Sequence, residues 1–465
     1  MPTPTEVVVA PPVSRKLQGA VVPDQRVLAT RFAQVEKITL RVEHLGEDGV
    51  VDMHGTGTLV TQAGGIITAA HVVSEVSDRY RAVLDNGTTV KLEVVARDEA
   101  HDLAAAKLRP ADDAQRGAVA ALPWVELGPA AAPGDWVVCG GHASDPADHA
   151  ATRSAGVVQS TSYVFEPKEF AGRGRAPKTL GHFDSMLQAD CGIARGMSGG
   201  AMIDDSGELV GIIVGTGIAS PVAASPAILR SLALAPPRAT QHSGVSRAAK
   251  TESKRHDALA LTNEPGDDIR KALVVVAPSG RSAVGGISVG RPGLVLTVKN
   301  AVAKADGEMR AALPRVSRNG LDDKPCSEIV AIRGELALLR CEPLDDAVLT
   351  LSIAEASLAA EIRTISAGND WIGSGFVTGL SRTPGEVRPP RVNLGCGMVN
   401  AHHYEEHPPV EVGEVFAHDA DRFTAGEAVV DLRGAPIGID VANVEAGVSF
   451  AVPLRNAMAR FPEIR

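Results

Sequence analysis

The sequence predicts an all-β molecule made of two tandem domains of similar build, and three observations carry that prediction. Short apolar runs of strand length follow one another from about Thr39 to the end of the chain, parted by turn residues. The order of these runs in the second half repeats the order in the first. Glycine (47) and proline (30) are abundant, as short strands joined by tight turns require.

Residues 1–25, rich in Pro and Val and without periodicity, are expected to form a flexible tail. The runs ITLRVEH, GTGTLV and GGIITAAHVV come next, then TTVKLEVVARD, DLAAAKL, DWVVCGG, SAGVVQS and GELVGIIVG. No helix-length segment alternates with them, so an antiparallel sandwich or barrel is expected rather than strand–helix–strand units. ILRSLAL, near residue 230, is the one short helix expected, and it closes the first half. Between residues 236 and 256 the apolar runs stop. Five basic residues (Arg238, Arg247, Lys250, Lys254, Arg255) stand there against the single acid Glu252, which marks an exposed linker.

From about Ile269 the pattern resumes with KALVVVAP, GGISVG, GLVLTVKNAV, GELALLR, GFVTGLS and EAVVDLRGAPIGIDV. Three ungapped matches run in the same order in both halves. Ile66–Val73 lies on Val295–Val302, Asp102–Lys107 on Glu335–Arg340, and Ala201–Ile212 on Ala428–Ile439. Such ordered self-similarity marks an internal duplication. The expected boundaries are a tail at 1–25, a first domain at 26–235, a linker at 236–268 and a second domain at 269–465.

Composition excludes several functions. A net charge of −10 and 3% aromatic residues leave neither the basic surface nor the stacking groups of a general nucleic-acid binder. No run of 18 apolar residues exists, so no membrane-spanning helix is expected, and the N-terminus shows no basic-then-apolar signal. Five scattered cysteines contain no Cys-x-x-Cys pair, which argues against zinc, and their odd number leaves at least one thiol unpaired. That cysteine usage fits a reducing compartment, and a cytoplasmic location is the expectation.

Acyl transfer by a serine hydroxyl needs a base for the Oγ proton, an acid to orient the base, and donors for the oxyanion. The nucleophile candidate is Ser198 in Arg195-Gly196-Met197-Ser198-Gly199-Gly200, directly before an apolar run. Its glycines permit backbone angles closed to other residues, and the amides of Gly196 and Ser198 would form the oxyanion hole. The base candidate is His71, which follows the run IITAA, and the acid candidate is Asp102 in HDLAAAKL. Each has an ordinary alternative: a glycine-rich turn, a packed histidine, a strand-end cap. Together they gain weight, because the order His71, Asp102, Ser198 is one of the known chain orders of the catalytic triad.

These residues sit in longer stretches that resemble the trypsin-like peptidase domain of the HtrA (Deg-type) family over residues 55–215. GTGTLV before TAAHVV, HDLAAAKL, GDWVVCGGHA, SAGVVQS and LQADCGIARGMSGGAMIDDSGELVGI are each similar to a family segment. The resemblance implies two tandem chymotrypsin-like double β-barrel domains and serine endopeptidase activity with no cofactor. It puts Gly192 at the floor of the P1 side-chain pocket, with Ile213, Val214 and Gly215 along its wall. A floor without Asp implies small or medium apolar P1 side chains rather than Lys or Arg. Cys191 is then expected to be a packed core thiol.

This sequence departs from the family at several points. Met197 stands where the family has Asn or Asp, and 96 positions separate Asp102 from Ser198. The surplus falls at residues 163–184, expected to be an inserted loop near the active face. No PDZ domain follows the peptidase segment.

The ungapped matches carry the triad onto the second half. His71 corresponds to Asn300, Asp102 to Glu335, Ser198 to Ala425 and Gly200 to Glu427. Asn is no base near neutral pH and Ala has no nucleophile, so the second half is expected to be a pseudoprotease that docks substrate or a regulatory protein partner. His402, His403 and His407, with Glu405 and Glu406 between them, are expected to form a polar loop rather than a metal site, since Pro408 and Pro409 follow directly. The leading expectation is an intracellular endopeptidase acting on protein or peptide substrates, with no nucleic-acid or membrane partner. The alternatives are a non-catalytic regulatory or scaffold protein, and a protease effector or target in a bacterial stress or defence cascade, activated by cleavage or by a partner.

Overall fold

The computed structural model describes residues 23–73, 79–143, 150–165, 183–215, 217–236, 267–278, 283–304, 307–318, 323–349, 353–365, 372–382, 415–420, 425–445 and 448–464. These residues build four closed six-stranded antiparallel barrels, two in each half. In the first barrel the strands are β1 (Thr39–Leu45), β2 (Val51–Leu59), β3 (Gly65–Ala69), β4 (Tyr80–Val83), β5 (Thr89–Asp98) and β6 (Leu103–Arg109). They pair in the order β1-β2-β3-β6-β5-β4, and the pairing of β1 with β4 closes the ring.

The second barrel holds β7 (Trp136–Gly141), β8 (Thr152–Phe165), β9 (Phe183–Ala189), β10 (Ala201–Asp204), β11 (Leu209–Gly215) and β12 (Ile218–Pro221). Its order, β7-β8-β9-β12-β11-β10, is the same. The barrels at 273–341 and 361–453 repeat that order, so the expected all-β double-barrel architecture and the duplication are both visible.

Local sequence explains which strands face the interior on both sides. Gly65-Ile66-Ile67-Thr68-Ala69 is buried throughout because β3 is covered on both faces, and its near-continuous apolar run reflects that. At the start of β5, Thr89-Val90-Lys91-Leu92-Glu93 alternates exposed and buried residues, as a strand with one solvated face does.

Four helices among the described residues were not expected: Asp113–Ala120, Asp267–Ala272, Leu454–Arg460 and, longest of them, one at the start of the first domain. Residues Gln25–Ile38 form a helix, α1, where the sequence was read as the end of a tail and the start of the domain. Asp24 caps it by accepting the Arg26 amide at 2.8 Å. Leu28, Phe32, Val35 and Ile38 fall on one face and are all buried. Val35 packs so closely on β7 that a side chain at Gly140 would meet its Cγ1 at 2.0 Å. The helix expected near residue 230 is present as Pro226–Ser231. Residues 1–22, 166–182 and 237–266, which hold most of the expected tail, inserted loop and basic linker, lie outside the described residues, as do His402, His403 and His407.

The two halves share apolar packing. Val137, Met202 and Ile213 of the first half fall in one buried cluster with Leu296, Leu338, Ile439 and Phe450 of the second. Trp136 stacks edge-on against Phe376 with ring centres 5.8 Å apart. The cysteine reading needs correction. Cys139 is disulfide-bonded to Cys191, and Cys326 to Cys341, so Cys191 is not a free core thiol. Two pairs separated by 52 and 15 positions follow no short motif, which is why spacing did not reveal them.

Candidate active site

His71 sits in the single 3-10 turn Ala70–Val73 that leaves the end of β3. Asp102 occupies the last position of the turn between β5 and β6, with φ at +50°. That left-handed conformation is one that Asp tolerates better than most residues. Asp98 braces the same turn. Its carboxylate accepts from the Ala100 amide at 3.1 Å, pairs with His101 Nδ1 at 2.9 Å and receives the Ser225 hydroxyl. Burial alone would raise the Asp98 pKa, but the hydrogen bonds from Ser225 and His101 outweigh it and hold the group below its ordinary value.

The braced turn delivers Asp102 to His71 by three contacts. The Ala70 amide donates to the Asp102 carbonyl at 2.9 Å, the His71 amide to Oδ1 at 2.9 Å, and His71 Nδ1 lies 2.6 Å from Oδ2. Asp102 is 1% exposed, whereas the His71 side chain is 20% exposed. A carboxylate only accepts, so Nδ1 carries a proton, and in the neutral ring the lone pair stands on Nε2. This is the arrangement of an oriented general base.

Ser198 lies in a tight turn just before β10. Gly196 (φ +92°) and Gly199 (φ +89°) supply its two left-handed positions. The Met197 amide donates to Ala194 O, Gly199 to Ile213 O and Gly200 to Met197 O, at 3.1, 2.7 and 2.8 Å. The amides of Gly196 and Ser198 donate to no group among the described residues. Three of the turn's donors are thus committed, and the two left for an external acceptor are those expected to form the oxyanion hole.

Strand β2 clamps the turn to the first barrel. Thr56 Oγ1 donates to Gly196 O at 2.8 Å, the Thr56 amide to Ser198 O at 2.8 Å, and Thr58 Oγ1 to Gly199 O at 3.0 Å. Thr68, three residues before His71, donates to Thr56 O at 2.6 Å. Gly55 marks where the two turns meet: a side chain there would lie 2.6 Å from Val72 Cγ1 and 3.2 Å from Ser198 O. Ser198 and His71 are therefore carried to the same seam between the barrels. Met197 is fully buried, and its sulfur accepts the Ala194 amide at 3.2 Å, so this departure from the family pattern plugs the core beneath the turn.

The expected pocket residues separate. Gly192 is buried and its amide donates to Ser154 Oγ at 2.6 Å. Ile213 lies beneath the nucleophile turn. It is 0% exposed, its carbonyl accepts from Gly199 and its amide donates to Gly200 O, so it supports the nucleophile turn from below. Val214 is nearly as buried, and Gly215 is half-buried at the end of β11. Sequence reasoning missed Thr56, Thr58, Ser154 and the Cys139–Cys191 bond. The alternating Thr residues of GTGTLV were the one available signal for the clamp.

The second half reproduces this backbone frame without the reactive groups. Lys299 N donates to Glu335 O at 2.7 Å, as Ala70 does to Asp102. Thr297 Oγ1 donates to Gly285 O at 2.7 Å, as Thr68 does to Thr56. The Gly285 amide reaches Ala425 O at 2.8 Å, as Thr56 reaches Ser198, and Gly426 (φ +85°) donates to Asp440 O at 2.7 Å, as Gly199 does to Ile213. Asn300, Glu335 and Ala425 therefore stand at the positions of His71, Asp102 and Ser198. The Asn300 Oδ1 is buried with no hydrogen-bond partner among the described residues.

Residues 55–212 match the family described as trypsin-like peptidase domain. Curated relatives include the "Probable periplasmic serine endoprotease DegP-like" of Brucella suis, 30% identical over 249 residues that cover 51% of this chain and 43% of that protein. The protein of the same name from Rhizobium meliloti is 32% identical over 36% of this chain and 28% of its own length. "Putative protease Do-like 14" of Arabidopsis thaliana is 29% identical, over 34% of each chain. The chain thus spans less than half the length of these relatives. Among solved structures, that of Deg5 is 20% identical with a TM-score of 0.34, covering 44% of this chain and 92% of its own.

Proposed function

We infer, from a first half that carries a trypsin-like peptidase domain of the HtrA type, that this protein is a serine endopeptidase working through an acyl-enzyme. The observation that carries the reading is the double grip of Asp102 on His71, with Nδ1 at 2.6 Å and the backbone amide at 2.9 Å. Ser198 Oγ attacks the peptide carbonyl, and His71 Nε2 takes its proton and later returns it to the leaving amine. Asp102 holds the imidazole and stabilises the imidazolium, while the Gly196 and Ser198 amides receive the oxyanion. Gly192 and Gly215 border the P1 side chain, with apolar residues preferred.

The second half is proposed to be catalytically dead and to serve regulation or docking of a partner or substrate. Ala425 offers no nucleophile and Asn300 no base, within a frame that otherwise keeps the site's hydrogen bonds. Two disulfides and relatives named as periplasmic favour an oxidising compartment over the cytoplasmic location expected from cysteine spacing. Hydrolysis of a denatured protein such as casein tests the enzymatic reading. Full-length protein should cleave it, and Ser198→Ala and His71→Ala should each abolish cleavage without changing the circular dichroism. Residual cleavage by folded Ser198→Ala at the wild-type rate would assign the activity elsewhere.

A further inference from the structure

We propose that Asp419, contributed by the second half, is a positioning residue for the active site of the first. The proposal rests on the endopeptidase reading and deepens it by naming the atom through which the second half acts. Asp419 is fully buried. Its Oδ2 accepts the Ser154 hydroxyl at 3.0 Å and the Ala155 amide at 2.8 Å, both on β8 of the first half. Its Oδ1 accepts the Phe376 amide at 2.6 Å, from its own half. One carboxylate therefore pins a strand of each half.

Ser154 relays the contact onward. Because Asp419 takes its proton, the Ser154 oxygen presents a lone pair to the Gly192 amide, which donates at 2.6 Å. Glycine at 156 lets β8 press on the same segment, since a side chain there would lie 2.7 Å from the Cys191 nitrogen and 2.7 Å from Asp190 Oδ1. From Gly192 the chain needs four more residues to reach Gly196, whose amide is one of the two uncommitted donors. The segment that carries pocket floor and oxyanion donor is thus held at its start by a residue of the other half. Asp419 holds the place that Asp190 holds in the first half: Asp190 Oδ1 accepts the Val157 amide at 2.6 Å as Asp419 Oδ1 accepts the Phe376 amide, and each carboxylate lies against a glycine, Gly156 and Gly375. The second copy keeps that bond within its own half and turns the other carboxylate oxygen onto β8 of the first.

Full-length Asp419→Asn, Ser154→Ala and the double variant test this by two readouts. The first is the rate of Ser198 labelling by a fluorophosphonate, and the second is amide hydrogen exchange across residues 190–198 compared with 65–69 in β3. Asp419→Asn should label about tenfold more slowly and exchange faster at 190–198 while 65–69 keeps its protection. Ser154→Ala should move both in the same direction, and the double variant should be no worse than Asp419→Asn, because the two residues act in series. A folded Asp419→Asn protein with wild-type labelling and exchange overturns the proposal, as does faster exchange spread evenly over both segments. If Asp419→Asn does not fold, Ser154→Ala carries the test, since it leaves Asp419 its two amide donors. Absence of labelling in the wild type would count against the endopeptidase reading alone, and the exchange comparison would still decide the role of Asp419.

Discussion

At His71 one carboxylate does two tasks, holding the ring through Oδ2 and the backbone amide through Oδ1. Asp102→Asn can keep the shape of this contact but places an amide donor against one of two N–H groups. The variant should fold and lose activity by on the order of a thousandfold or more, read as kcat/KM on a peptide substrate. His418 and Asp440 form a second His–Asp pair, fully buried at 2.6 Å in the fourth barrel. Burial pushes the Asp440 pKa up, although His418 pulls the other way. A raised carboxyl pKa means the folded state holds its proton more tightly than the unfolded chain does. Its stability contribution is therefore lost as pH rises above the unfolded value of 3.8. Asp440→Asn should show no such loss, so its stability relative to wild type in urea unfolding should rise from pH 4 upward. His71, Asp102 and Ser198 could be picked out as candidates in the sequence because each sits in a short local setting. Asp419 could not, because its partner Ser154 is 265 residues away and no motif joins them.

Among the elements, the turn at 196–200 and strand β2 behave as one unit. Thr56 Oγ1 donates to Gly196 O and accepts the His142 amide, each at 2.8 Å and both buried. Thr56→Val keeps the shape and strands both partners, at a cost of about 2–5 kcal/mol in unfolding free energy by denaturant titration. The Cys139–Cys191 bond ties β7 to the segment before Gly192 and closes a stretch of 52 residues. On a chain-entropy account, Cys139→Ser should lower stability by up to about 4 kcal/mol, measured against wild type under non-reducing conditions. Strands were readable because runs such as IITAA and TTVKLEVV carry their burial pattern openly. Helix α1 was not, because four apolar residues on one face, Leu28, Phe32, Val35 and Ile38, are diluted by the polar residues between them. The support that Ile213 gives the nucleophile turn was hidden for a related reason: the sequence shows an apolar strand but not which face the neighbouring turn occupies.

Over the whole molecule, the duplication was the most legible feature, since three ungapped matches placed Asn300, Glu335 and Ala425 where the backbone hydrogen bonds now put them. How the halves dock was invisible, because it depends on tertiary contacts such as Trp136 against Phe376 and Gln25 Nε2 donating to Leu358 O at 3.0 Å. The shared apolar cluster predicts that a fragment of residues 23–236 will bare the Trp136 face, bind hydrophobic dye and unfold less cooperatively than the full chain. The central claim, that Ser198 is the nucleophile of the one chemically equipped half, meets its most direct test in covalent modification. Intact mass spectrometry after treatment with diisopropyl fluorophosphate should show a single adduct, mapped by peptide digestion to Ser198 and missing from His71→Ala. An adduct on any other serine, or none on protein shown to be folded, would contradict it.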